Sequence, residues 1–527
     1  MRHNLFLEQE HIAMIKGFVY LAGIITAGLS LAARAEVRMP ALFSDNMVLQ
    51  QSSVLPVWGW AKDGEAITVK FMDQEVTATA AAGKWKVLLE AVPAGGPHEM
   101  TIRGENEITI KNILVGENWI CGGQSNMAWP VEKSSTSAEA IAGAKFPQIR
   151  LFQVEIAGAD TPLEDVKAEW VECSPETVAK FSAVGYFFGQ GLHGHLNVPV
   201  GLIQSCLGGT NASSWLPREV LAATPEFADI LADYDKALAE YPEKKAAWDT
   251  ALAEHTAKLE KAKADGVELS AQELRAPAEP MGPQHVKRPG ALFNAMIAPL
   301  QPYAVKGALW YQGEANGKSV ASAEQYKLLF PAVINEWRKG WGQPRFPFLF
   351  VQLAAYSDNP AWPLLRDAQT AALALPDTAL AVTIDVGQKD DIHPTDKATV
   401  GSRLVTAARN AAYGENIEST GPLFLELEKR EGLAIIYFRN VSEGLKSSAK
   451  PLTGFEVAGE DGVFVPANAA IAGQTVIVRS ESVLNPVHVR YGWQAFPDPP
   501  CTLYNGSGLP AVPFRTDELP VADAAPK

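Results

Sequence analysis

The sequence predicts an α/β protein with a central parallel sheet, an N-terminal and a C-terminal β module, and a helical insertion. Three observations predict it. Apolar runs at Trp119–Cys121, Val200–Ile203, Val305–Trp310, Phe348–Leu353 and Leu380–Ile384 are near-continuous and far apart, as strands covered on both faces are. Helix-like segments, for example 175–196 and 323–338, lie between them and supply the crossovers a parallel sheet needs. Before residue 116 and after about 415, short β-branched or aromatic runs follow one another too closely for such crossovers.

The elements follow in chain order. Residues 17–33 are uncharged and mostly apolar, Lys16 precedes them, and Ala33-Arg34-Ala35 closes them. That layout predicts a secretory signal over 1–35, cut after Ala35. Glu8 and Glu10 fit a basic leader poorly, so Met14 is a candidate start. A single membrane anchor is the competing reading, but the run falls short of a span of about 20 residues. The expectation is an exported protein, periplasmic or extracellular, with no stable membrane insertion after cleavage. Residues 36–115 read as a β domain: Val54–Trp60, Ile67–Phe71, Lys84–Leu89 and Ile108–Ile110 are strand-like and punctuated by Gly, Asp and Pro. The catalytic domain is expected over 116–414, interrupted by a helical insertion at 221–280. There Tyr234, Leu238 and Tyr241, then Trp248, Leu252 and Leu259, recur at helical spacing. Tyr241-Pro242 predicts a break between two helices. Leu433–Phe438, Thr475–Val478 and Val487–Tyr491 mark a β domain over 415–515, and 516–527 reads as a loose tail.

Composition bounds the function. At 527 residues the chain exceeds one ordinary core. Hydrophobic residues at 47% and charged residues at 20% indicate a globular chain. Lys+Arg 45 against Asp+Glu 60 gives a net charge of -15, which argues against a nucleic-acid partner. Cys121, Cys173, Cys206 and Cys501 lack the close spacing of a zinc or thiol redox motif. They are expected either as disulfides, in any of the pairings open to them, or as separate buried thiols.

Ligands of open α/β sheets bind beyond the carboxyl ends of the strands, and each polar cluster follows a predicted strand. Gly122-Gly123-Gln124-Ser125-Asn126 permits a tight turn that sets Ser125 at a helix N-terminus among free N–H groups, either as a nucleophile or as a plain cap. There is no Gly-x-Ser-x-Gly elbow. Gly208-Gly209-Thr210-Asn211 lets backbone approach a ligand, and Trp215 after it either stacks on a sugar or fills core. In Gln312-Gly313-Glu314, Gln312 is a candidate oxyanion donor. Ionised Glu314 has acceptors only, so it is cast as an orienter of donors or of substrate hydroxyls. Asp390-Asp391-Ile392-His393 offers a base with a carboxylate beside it. Asp390 reaches His393 if the loop is helical, Asp391 if it is not. Arg366 is a candidate for binding a carboxylate substrate, or forms a surface ion pair.

At these residues the chain resembles the sialate O-acetylesterases, a branch of the SGNH hydrolases. The similar stretches are GQSNMAWP (123–130), GGTNASSW (208–215), WYQGEAN (310–316), LRDAQ (365–369) and DIHPTDK (391–397). FSDNMVLQQ (43–51), PVWGWA (56–61) and VRYGWQAFP (489–497) match outside the core, so the resemblance runs from about 38 to 515. It implies an SGNH-hydrolase-like three-layer sandwich and an esterase that removes acetyl groups from sugar hydroxyls, typically those of sialic acids, without metal or organic cofactor. It carries the nucleophile to Ser125 and the base to His393. Asp391 is favoured as partner by the family's Asp-Ile-His-Pro, while the superfamily's Asp-x-x-His favours Asp390. The oxyanion donors map to the Ser125 backbone, Gly208 or Gly209, and Gln312, which stands where the superfamily has Asn. Gln124, Asn126, Trp215, Glu314 and Arg366 are then the expected substrate contacts, and an O-acetylated sugar or glycan the partner. Deacetylation of xylan or other plant glycans is the nearest competing function, and a non-catalytic carbohydrate-binding protein the competitor of another class. A two-carboxylate glycosidase would leave Ser125 without a role.

Overall fold

A computed structural model describes residues 36–517 apart from Ala271. The expected signal segment and most of the expected tail lie outside the described residues. The central sheet is built from β1 (Glu107–Gly123), β2 (Phe146–Gln153), β3 (Trp170–Cys173), β4 (Val200–Cys206), β5 (Gly307–Tyr311), β6 (Phe348–Val351) and β7 (Thr378–Ala381), in the order β7-β6-β5-β1-β4-β2-β3. All neighbours pair parallel except β3, which pairs antiparallel with β2 at the edge. The predicted apolar runs are β1, β4, β5, β6 and β7. β2 and β3 escape the sequence pattern because Pro147, Gln148 and Arg150 break the apolar run of one and the other is only four residues long.

The longer helices are α1 (Ala183–Leu196), α2 (Ala228–Asp265), α3 (Val320–Gly340), α4 (Ala361–Ala371) and α5 (Lys397–Ala411). Side-chain alternation on β1 shows the layering. Trp119 meets Phe188 of α1 at 5.1 Å between ring centroids, and Gly185 of α1 lies against Cys121. Gly122, one residue on, lies against Trp337 of α3. Helices α1 and α5 pack together on one face and α3 and α4 on the other, giving three layers. Trp337, Trp310 and Phe348 fill the second interface edge-to-face.

The boundary expected near residue 116 falls inside β1. The first half of β1 pairs antiparallel with Gly95–Arg103 in the N-terminal β module, and its second half is the middle of the catalytic sheet. A separate two-stranded antiparallel sheet of Leu55–Trp60 and Lys84–Leu89 packs against that module. The C-terminal module has two four-stranded antiparallel sheets, which meet through Phe438, Tyr491 and Phe514.

The insertion corrects the expected pair of helices. α2 is one helix of 38 residues with Pro242 inside it. Proline removes one N–H and crowds the carbonyl four residues earlier. Only Tyr234 and Ala262 of α2 are buried, so water reaches the freed carbonyl. The ion pair Glu240–Lys244 spans the proline and Lys245–Asp249 follows it, supporting the helix there. Gly266 ends the helix in the left-handed region at φ 67°. The second limb is an extended return rich in Pro, tied back by Trp248 donating to the Pro277 carbonyl at 3.1 Å and by a Lys258–Glu273 ion pair.

All four cysteines are free, buried thiols, pushed above the ordinary thiol range by burial. No described helix is long and apolar enough to cross a membrane. Arg366 is neither a substrate contact nor a surface ion pair: it is fully buried on α4 and donates to the carbonyls of Gly492 (3.2 Å), Gln494 (2.6 Å) and Ala495 (2.8 Å). It clamps the C-terminal module to the catalytic domain. Arg366→Met strands the Gly492 and Gln494 carbonyls, while Ala495 keeps the Tyr356 N–H, and is expected to cost about 3 kcal/mol, read as a lower urea midpoint. A midpoint unchanged from wild type contradicts the clamp.

Candidate active site

The predicted clusters meet at the carboxyl ends of β1, β4 and β5. Gly123 makes the exit from β1 at φ 127°, where a Cβ would sit 2.2 Å from the Tyr311 carbonyl oxygen. Only glycine fits that close approach. Ser125 begins a four-residue helix, Ser125–Ala128, directly after it. His393 Nε2 lies 2.9 Å from Ser125 Oγ.

His393 sits in a turn, not a helix. The Asp391 carboxylate accepts from the His393 backbone N–H at 2.8 Å and faces Nδ1 at 3.6 Å. Asp390 is exposed and makes no contact with His393. Trp129 stacks on the imidazole at 4.9 Å and 18°. Burial lowers the His393 pKa from its ordinary 6.5, and Asp391 partly opposes the shift.

On the other side of Ser125 is the paired-glycine turn. A Cβ on Gly208 would lie 3.2 Å from Ser125 Cβ, and Gly209 has φ 67°. Among the described residues, the backbone N–H groups of Ser125, Gly208 and Gly209 have no acceptor.

The remaining expected contacts lie behind this surface. Gln312 is fully buried, and its amide donates to the Thr210 carbonyl (2.9 Å) and Asn316 Oδ1 (2.8 Å), so neither hydrogen is free for an oxyanion. Asn316 Oδ1 also accepts from Ala212 N at 3.0 Å, and its Nδ2 donates to no described residue. Gln124 Oε1 accepts from Ala315 N and Gly313 N, holding that loop and not a sugar. Trp215 fills core: it is fully buried, donates to Thr210 Oγ1 at 3.0 Å and meets Trp310 edge-to-face.

Asn126 and Glu314 also face inward. The Asn126 amide donates to Glu314 Oε1 (2.5 Å) and to the Ile392 carbonyl (3.0 Å), and its oxygen accepts from Lys397 Nζ. Glu314 is therefore an orienter of donors and does not meet substrate hydroxyls. Burial pushes Glu314 up and Lys397 down from their ordinary pKa values. Lys397 and Trp129 stood in the sequence motifs without a role; no local pattern marks a lysine that contacts asparagine 271 positions away.

Comparison with known proteins identifies the family of the chain. A family model described as "Carbohydrate esterase, sialic acid-specific acetylesterase" matches residues 282–410. The sialate O-acetylesterase of Rattus norvegicus is 30% identical, with 93% of this chain and 96% of the relative covered. The chain belongs to the sialate O-acetylesterase family. The Homo sapiens sialate O-acetylesterase is 28% identical over 90% of this chain and 92% of its own. A crystal structure of a carbohydrate acetylesterase from Xanthomonas citri superposes with a TM-score of 0.77 at 36% identity, covering 92% of this chain and 100% of that one. As a member of this family the protein is a carboxylic ester hydrolase of the carbohydrate-esterase type.

The buried Glu314–Asn126–Lys397 chain yields a stability prediction. Lys397→Met leaves Glu314 buried beside a lost cation. It is expected to cost about 1–3 kcal/mol at pH 7, because the Asn126 oxygen loses its donor, measured by denaturant unfolding, with Glu314→Gln in the same background recovering part of the loss. No loss in the single variant would mean that the pair is not coupled.

Proposed function

We propose that the protein is a serine esterase that removes O-acetyl groups from sialic acids through an acetyl-enzyme. The observation that carries this reading is the 2.9 Å contact between Ser125 Oγ and His393 Nε2. The relatives named sialate O-acetylesterase support the choice of substrate.

His393 Nε2 takes the Ser125 proton as Oγ attacks the acetyl carbonyl. Asp391 holds the ring through Nδ1 and supports the imidazolium. At 3.6 Å this contact is looser than a hydrogen bond and tightens when substrate closes the site. The negative oxygen is received by the free N–H groups of Ser125 and Gly209 and by Asn316 Nδ2, which takes the part expected of Gln312. One such donor is worth about 3 kcal/mol in the transition state. His393 returns the proton to the departing sugar oxygen, and water attacks the acetyl group by the same route.

An acetylated neutral glycan is the second reading, favoured by the carbohydrate acetylesterase from Xanthomonas citri. Acetate release from an O-acetylated sialic acid against acetylated xylan separates the two. The apolar run at 17–33 supports export, and sequencing the mature N-terminus tests the cut after Ala35.

Ser125→Ala is expected to abolish acetate release, by about a thousandfold or more, without shifting the unfolding midpoint. Near-normal turnover in pure variant protein ends the proposal. The pH profile follows from the sign of the His393 shift. The imidazole must be neutral to accept the proton, so activity is lost as pH falls through a pKa below 6.5. The acid limb of kcat/KM is expected below pH 6.5. Asp391→Asn removes a charge that raises that pKa, so the limb moves further toward acid while the rate falls at least about tenfold.

A further inference from the structure

A cavity of about 450 Å³ opens beside the Gly208–Gly209 turn. Ile230 and Tyr234 of α2 form one wall, and Asn316 and Lys318 line it from the loop after β5. Lys287, seven residues past the insertion, lies next to the glycines. A Cβ on Gly209 would meet Lys287 Nζ at 3.1 Å, while one on Gly208 would meet Ser125 Cβ at 3.2 Å. The two glycines thus lie between the ammonium and the serine.

Lys287 is held in position. Its carbonyl accepts from Ser214 Oγ at 2.7 Å, and its N–H donates to His285 Nδ1 at 3.2 Å. The next residue, Arg288, is clamped to Asp160 through two bonds of 2.9 and 2.8 Å. The ammonium itself has no carboxylate within ion-pair distance among the described residues, and neither does that of Lys318. Asp229 and Asp233 line the same cavity. Asp229 is engaged by Gln325 Nε2 at 2.7 Å, and neither aspartate pairs with a lysine. Burial, then the charge of Lys318, lowers the Lys287 pKa, a cost that a bound anion relieves.

We infer that the cavity walled by the insertion reads an anion and that within it Lys287, assisted by Lys318, binds the carboxylate of a sugar acid whose O-acetyl group lies on Ser125. The inference rests on the sialate reading above and names the residues that select the acid over a neutral sugar. A nine-carbon sugar acid carries its carboxylate several bonds from its acetylated hydroxyls, as the step from Ser125 across two glycines to Lys287 requires. The cavity admits a sugar ring, and its polar lining suits hydroxyls.

The test compares acetate release from an O-acetylated N-acetylneuraminic acid and from its carboxyl methyl ester, in wild type, Lys287→Met and Lys318→Met. Wild type is expected to prefer the acid. Lys287→Met is expected to lower kcat/KM for the acid by about 10- to 100-fold, chiefly through KM, and to bring the acid-to-ester ratio near one. Lys318→Met gives a smaller change in the same direction. An acid-to-ester ratio unchanged in Lys287→Met overturns the inference and leaves the sialate reading standing. Wild type that cleaves acetylated xylan but neither sialic acid derivative overturns the sialate reading, and this inference with it.

Discussion

One side-chain amide holds Ser125 and His393 in register. Asn126, the residue after Ser125, donates to Glu314 and to the Ile392 carbonyl and accepts from Lys397. Those partners come from the loop after β5, the turn that carries His393 and the first residue of α5. Ser125 and His393 lie 268 positions apart, and their contact needs a connection with few soft torsions. A buried, multiply bonded amide is stiff because breaking any one of its bonds strands a polar group away from water. The same amide lies between a buried carboxyl group and a buried amine, both of which burial pushes toward their neutral forms.

The scaffold serves this connection. Parallel strands end together, so the loops after β1, β4 and β5 are delivered to one edge whatever their distance in sequence. The aromatic layer of Trp310, Trp337 and Phe348 underneath leaves those strand ends little freedom. Close approaches finish the placement: Gly123 passes under the Tyr311 carbonyl and Gly208 lies on Ser125.

Much of this was legible in the residues. Burial on both faces made β1, β4, β5, β6 and β7 readable as apolar runs, and the polar clusters at their ends pointed to one edge. Asp391 was separable from Asp390 only once the loop was seen to be a turn. The inward-facing residues were misread for a common reason. A polar side chain in a site motif has the same spacing whether it meets substrate or holds its neighbours, and only burial distinguishes the two. Gln124, Asn126, Gln312 and Arg366 all hold neighbouring groups, as Glu314 does in one of the two roles it was given. Pro242 was misread because helix-breaking is a local tendency, and a long solvent-facing helix supported by ion pairs absorbs it.

The first β module and the catalytic domain own a single strand between them: β1 pairs with Gly95–Arg103 at one end and with β4 and β5 at the other. Genetic shuffling that swapped the front module for another would have to splice through the middle of the catalytic sheet. The two halves are therefore bound to be inherited as a unit, unlike an appendage strung on a linker, and their lineages should share one history.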